Sequence, residues 1–103
     1  MSPEDPLVVD ILHALALLAL DGHSPVEADA RSREALGLAR RLEPNGGWMT
    51  VRSLRLVADI FQRMGDTNAA APLRAEAETM AGQLPPDTSR TTLPQPERSD
   101  SPQ

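Results

Sequence analysis

The chain predicts an all-α domain, and three observations carry that expectation. Apolar residues recur at helical spacing along most of its length. Aromatic content is low, with one Trp, one Phe and no Tyr in 103 residues, so the core must come from Leu, Ala, Val and Ile, which suits packed helices better than sheets. Breaks at Gly22, at Pro44-Asn45-Gly46-Gly47 and at Gly65 divide the chain into four segments of helical length.

The first helix is expected to begin between Ser2 and Pro6. Ser2 and Asp5 are capping types, and Pro3 or Pro6 fits a first turn, where no amide partner is lost. Its body runs through Leu7, Val8, Val9, Ile11, Leu12, Leu15, Leu17, Leu18 and Leu20, interrupted only by Asp10 and His13. A helix apolar nearly all round is buried on more than one side, either at the centre of the fold or under a partner. It ends at Asp21-Gly22, with Gly22 suited to the left-handed position after a helix.

The second helix opens with Ser24 as cap, Pro25 as first residue and Glu27 three after the serine, a capping-box pattern. Ala28, Ala35, Leu38-Ala39 and Leu42 form its apolar stripe, and Gly37 either permits close helix approach or is tolerated there. The third helix spans about Trp48 to Met64, with a face of Met49, Leu54, Val57-Ala58, Ile60-Phe61 and Met64. Gly65 stops it. Asp66, Thr67 and Asn68 offer caps for the fourth helix, which runs to about Gln83 through Ala70, Leu73, Ala77, Met80 and Ala81. Pro72 removes one amide donor and is tolerable only within a first turn, which blurs the start of this helix. From Pro85 the composition shifts to Pro, Ser and Thr, with Leu93 the only large aliphatic. The expected division is therefore a helical domain over 1–84 and a disordered tail over 85–103. That tail lacks Pro-x-x-Pro, and Pro94-Gln95-Pro96 is its nearest approach.

Net charge is −5, and residues 1–84 carry twelve acidic and eight basic groups, all ten basic residues of the chain being Arg. That balance opposes nucleic-acid binding. With no cysteine, disulfides, thiol chemistry and cysteine metal sites are excluded. No secretory signal is apparent, and the apolar run Leu7–Leu20 is shorter than the roughly 20 residues that cross a bilayer, so a cytoplasmic protein without membrane insertion is expected.

The third and fourth helices resemble a tetratricopeptide repeat through Val57-Ala58, Phe61, Gly65-Asp66, Ala70 and Ala77. Ala39, Leu42, Pro44 and Asn45 look like the close of a preceding repeat. Two departures stand out: Gly22 to Pro44 is about one helical turn too long, and Arg74 occupies a place usually bulky and apolar. The resemblance implies two helical hairpins. Two are fewer than the three usually needed for a stable stack, so the domain should lean on an extra helix, a copy of itself or a client chain. In size and pattern the chain is also similar to small type III secretion chaperones and co-chaperones, which hold an export substrate.

Catalytic candidates are few. Asp10 and His13 lie one helical turn apart and could form an acid–base pair, but a histidine settled in a crowded interface, its cost offset by Asp10, is the better explanation. His13 and His23, ten residues apart, do not make a metal site. Gly46-Gly47 lacks the lysine and spacing of a phosphate loop. No catalytic residue, cofactor or metal is therefore expected. Arg31, Arg33, Arg40 and Arg41 read as a solvated face paired locally with Glu27, Asp29 and Glu43.

The expected function is binding of another polypeptide through apolar helical surface, as in an export chaperone. The expected partner-binding residues are Leu7, Ile11, Leu15 and Leu18, followed by Trp48 and Met49, with a core anchor slightly favoured over an interface role for Trp48. A self-associating structural or regulatory subunit is the first alternative, and a helix-turn-helix DNA-binding regulator, permitted by the Gly22 corner, is the second.

Overall fold

A computed structural model describes residues 4–87. Four helices follow one another: α1 (Pro6–Asp21), α2 (Pro25–Leu42), α3 (Trp48–Arg63) and α4 (Thr67–Gly82), and no strand occurs among the described residues. The helical boundaries agree with those expected from the Gly and Pro breaks. Ser2, Pro3 and residues 88–103, including Leu93 and Pro94-Gln95-Pro96, lie outside the described residues.

Helices α1 and α2 form one antiparallel hairpin and α3 and α4 a second, and α3 packs on both helices of the first. Three apolar clusters hold this arrangement. Val9 and Leu12 meet Ala35 and Leu38, with Met49 of α3 packed against them. Ala16, Ala28 and Ile60 join α1, α2 and α3. Val51, Leu54 and Ala77 close the second hairpin, with Leu36 of α2 reaching in. Alanine at the crossing points lets the helices approach closely, so a core without large aromatic side chains still fills its space.

The two hairpins are copies of one unit. Pro6 and Trp48 begin α1 and α3, and Pro25 and Thr67 begin α2 and α4, each pair 42 positions apart. At that offset five interior positions carry the same residue in both hairpins: Val9 with Val51, Leu12 with Leu54, Ala16 with Ala58, Ala28 with Ala70, and Ala35 with Ala77. All ten are buried. The corners repeat as well. The amide of Ser24 donates to Ala19 C=O and that of His23 to Leu20 C=O; the amides of Asp66 and Gly65 donate to Phe61 and Gln62 in the same way. Each is a Schellman closure, with His23 (φ 62°) and Gly65 (φ 85°) in the left-handed position.

Three local expectations need correction. Gly22 is not the left-handed residue; its φ is −83°, and the Schellman geometry puts His23 there. Ser24 makes no side-chain cap bond, so the capping box does not form, and Glu27 instead pairs with Arg31 at 3.7 Å. Pro72 lies beyond the first turn of α4, because the Asp66 carboxylate accepts from Ala69 N–H and fixes the start at Thr67. Its ring is exposed, and the carbonyl it leaves without a helical donor belongs to exposed Asn68, open to solvent. Gly37 makes no close approach: a Cβ there would meet only the Arg41 guanidinium, at 3.9 Å.

Two elements fix the joint between hairpins. Gly47, the residue before α3, has no side chain to cap the helix. The Glu43 carboxylate replaces it, accepting from Met49 N–H, Thr50 N–H and Thr50 Oγ1. Glu43 is thus a cap and not a partner of the arginine strip. Past α4 the chain turns back on α3: Trp48 Nε1 donates to Pro85 C=O at 2.7 Å, and Arg52 pairs with Asp87 at 3.1 Å. Residues 85–87, assigned by composition to the tail, therefore pack on the domain.

Candidate protein-binding face

Helix α1 buries one face and exposes the other, and both are apolar. Val9, Leu12 and Ala16 point into the fold. Leu7, Ile11, Leu15 and Leu18 fall on the opposite side at spacings of three and four, a single stripe along the helix. Their exposures are 51%, 41%, 43% and 66%, and Leu17 beside them is 52% exposed. Contiguous aliphatic surface of this kind makes the stripe the candidate site of association on this domain.

The outer face of the last helix differs. The residues α4 exposes include Asn68, Ala71, Ala75, Glu78 and Thr79, with no large aliphatic among them. One end of the hairpin pair is closed by polar and small residues, as a terminal repeat should be, and the other is open.

Trp48 and Met49 do not share the α1 stripe. Trp48 packs against the Val51–Leu54–Ala77 cluster and its indole holds the returning chain at Pro85. Met49 packs against the Val9–Leu12–Ala35–Leu38 cluster, between the hairpins. The structure thus separates the six residues singled out by sequence into four on the α1 stripe, Met49 between the hairpins and Trp48 on the cluster of the second hairpin. Leu17 and Val26, the latter 77% exposed, are exposed aliphatics that the sequence reading did not select.

The side chains with chemical potential are engaged elsewhere. His13 Nε2 lies 2.7 Å from Ser53 Oγ, across the α1–α3 joint. Burial pushes the His13 pKa down, opposed by the charge of Asp10 and assisted by that of Arg52. Asp, His and Ser in one neighbourhood have the composition of a nucleophilic triad, but Ser53 has no solvent exposure, so no substrate reaches its hydroxyl. This histidine is a polar pin between helices. The arginine strip is paired throughout: Arg31 with Glu27 and Glu34, Arg33 with Asp29, Arg40 with Glu76, and Arg41 with Glu4. Arg33 also lies over the Phe61 ring, 4.9 Å from its centre. Arg74, at the place where the resemblance expects a bulky apolar residue, bonds Asp59 and Gln62 on α3. A cleft lined by Arg40, Glu43, Thr50, Glu76 and Met80 separates α4 from the α2–α3 turn. Its charged groups bond one another or cap α3.

No group of three or more His, Cys, Asp or Glu side chains that could hold a metal occurs among the described residues, and no described helix is long and apolar enough to cross a membrane. Comparison with models of protein families, with curated proteins and with solved structures finds no match to this chain.

Proposed function

We propose that this chain is a protein-binding module and that the outer face of α1 is its binding surface. The observation that carries this reading is the contrast between the two ends. Leu7, Ile11, Leu15 and Leu18 are exposed on α1, whereas α4 presents polar and small residues outward. A partner covering the stripe removes aliphatic surface from water at about 25 cal/mol per Å². The specific form of this function is that of a small chaperone holding a client, in the manner of type III secretion chaperones. What supports it is size, helical content, acidic charge and the open apolar edge.

The experiment is recovery of partners from the native host with the wild-type chain and with Leu15→Asp. Leu15 is 43% exposed, so a carboxylate there leaves the fold standing while it opposes apolar docking. The variant should remain helical and soluble and lose its partner. A folded variant that retains every partner overturns the assignment of α1.

A further inference from the structure

The internal repeat identifies what kind of surface fits the α1 stripe. Shifted by 42 positions, Leu7, Ile11, Leu15 and Leu18 become Met49, Ser53, Val57 and Ile60. These are the α3 residues on the side covered by the first hairpin. Met49 packs on the Val9–Leu12–Ala35–Leu38 cluster, Ser53 bonds His13, and Ile60 packs with Ala16 and Ala28. Val57 and Ile60 retain 2% and 0% exposure. The exposed face of α1 is therefore the same face of the repeating unit that, on α3, carries the interface with a preceding hairpin. Charge follows the same register. Glu76 on α4 accepts both guanidinium nitrogens of Arg40 from the preceding hairpin, at 2.8 and 3.1 Å. Its equivalent on α2 is Glu34, exposed and bonded only within its own helix to Arg31.

Resting on the protein-binding reading above, we infer that the α1 stripe receives a helical hairpin of another polypeptide, stacked as the first hairpin stacks on α3. That partner presents small and aliphatic residues to Leu7, Leu15 and Leu18. It places an apolar side chain, where this chain has His13, against Ile11. Its second helix carries a basic residue toward Glu34.

A second copy does not supply this surface. The face that the first hairpin offers to α3 includes His13, Leu20 and Leu36, and Ser32 on α2 is buried beside its own helix. The equivalent residues of the second hairpin are Arg55, Gln62, Arg74 and Glu78. They are tied together on the surface, Arg55 to Glu78 at 3.9 Å and Arg74 to Asp59 and Gln62 at 2.8 and 2.9 Å. Head-to-tail stacking of copies would desolvate these groups against aliphatic side chains without compensation. Nor does residue 88–103 of the same chain suffice, since Leu93 is its only large aliphatic.

The test restores the missing face in the full-length chain. Arg55→His, Gln62→Leu, Arg74→Ser and Glu78→Leu give the second hairpin the outward chemistry of the first. Light scattering after size exclusion should find the wild type at its monomer mass of 11.1 kDa. The fourfold variant should at least double its mass and keep growing with concentration, as head-to-tail contacts do. Adding Leu15→Asp should return it to monomer. If circular dichroism shows the fourfold variant unfolded, Gln62→Leu with Glu78→Leu carries the same comparison. A folded variant that stays monomeric overturns the stacking inference, as does association that survives Leu15→Asp. A wild-type dimer abolished by Leu15→Asp overturns it too, by seating a copy on the stripe. The first two outcomes leave the partner recovery above intact, so the two readings fail separately.

Discussion

Leu18 and Ile60 occupy the same position of the repeated unit, and truncating each to alanine measures directly whether α1 is uncovered in solution. Ile60 has no solvent exposure and sits where α1, α2 and α3 meet. Removing its three terminal carbons forfeits about 0.8 kcal/mol apiece in transfer free energy. With the cavity left behind, the cost is about 3–4 kcal/mol. Leu18 is 66% exposed, so about a third of the same transfer is at stake, or ~0.8 kcal/mol, and the helix preference of alanine returns part of it. For a domain of this size each kcal/mol moves Tm by about 4–8 °C. Ile60→Ala should therefore lower the midpoint by about 12 °C or more, and Leu18→Ala by less than about 6 °C. Thermal unfolding followed by helical circular dichroism, at two protein concentrations tenfold apart, supplies the measurement. Equal losses for the two variants would refute the reasoning, because they would mean that the isolated protein already covers the α1 stripe.

Three further outcomes follow from the local geometry. His23→Gly places glycine at φ 62° and should raise stability by about 0.5–1 kcal/mol, read as a higher thermal midpoint; a fall would show that the His23 side chain has a role of its own. Gly47→Ala puts a Cβ into the Glu43 carboxylate and should cost about 1–2 kcal/mol through the lost cap of α3. In the Glu43→Ala background the same change should cost nothing further, and additive losses in that double-mutant cycle would reject the capping role. Because burial lowers the His13 pKa, the folded chain binds this proton less readily than the unfolded chain. Its contribution to stability is full above the ordinary histidine value near 6.5 and is lost as pH falls from there toward the lowered value. Thermal midpoints measured from pH 7.5 to 5 should decline, and the decline should be shallower in His13→Gln. Acid loss below the ordinary carboxylate range follows separately from Glu76, whose pKa the hydrogen bonds from Arg40 depress.

The helices were legible because their ends are marked by residues with one structural meaning. Pro25 opens α2, the Pro44–Gly47 run separates the hairpins, and Gly65 closes α3. What remained hidden was written in residues with several meanings. His23 is an unremarkable loop residue until the two amide bonds of the Schellman closure require the residue after Gly22 to be left-handed. Glu43 stands beside Arg40 and Arg41 in sequence, and only the turn back into α3 brings its carboxylate to the amides of Met49 and Thr50. The four aliphatics of the α1 stripe could be named because α1 has more apolar residues than one face can hold. Trp48 and Met49 could not be placed, since an aromatic after two glycines fits a core and an interface alike. The two hairpins were legible, but not their 42-residue register, because its shared residues are mostly alanine, common in any helix, while the two corners, Gly22-His23-Ser24 and Met64-Gly65-Asp66, share geometry without sharing letters.

Where the hairpins agree and where they diverge separates two demands on one unit. The agreeing positions, Val9/Val51, Leu12/Leu54, Ala16/Ala58, Ala28/Ala70 and Ala35/Ala77, are buried in both copies and meet the need common to both, closing two helices on each other. The diverging positions lie where each copy meets something different. Leu20 and Leu36 pack toward the second hairpin, and their counterparts Gln62 and Glu78 face solvent. By the same logic, a side of the unit that faces water should carry few aliphatics, as the outer side of the second hairpin does. The stripe of Leu7, Ile11, Leu15 and Leu18 is aliphatic throughout: three of its four positions match Met49, Val57 and Ile60, which are packed or buried in the second copy. An edge with the chemistry of an interface, opposite an edge that lacks it, is the contrast on which the proposed binding role of α1 rests.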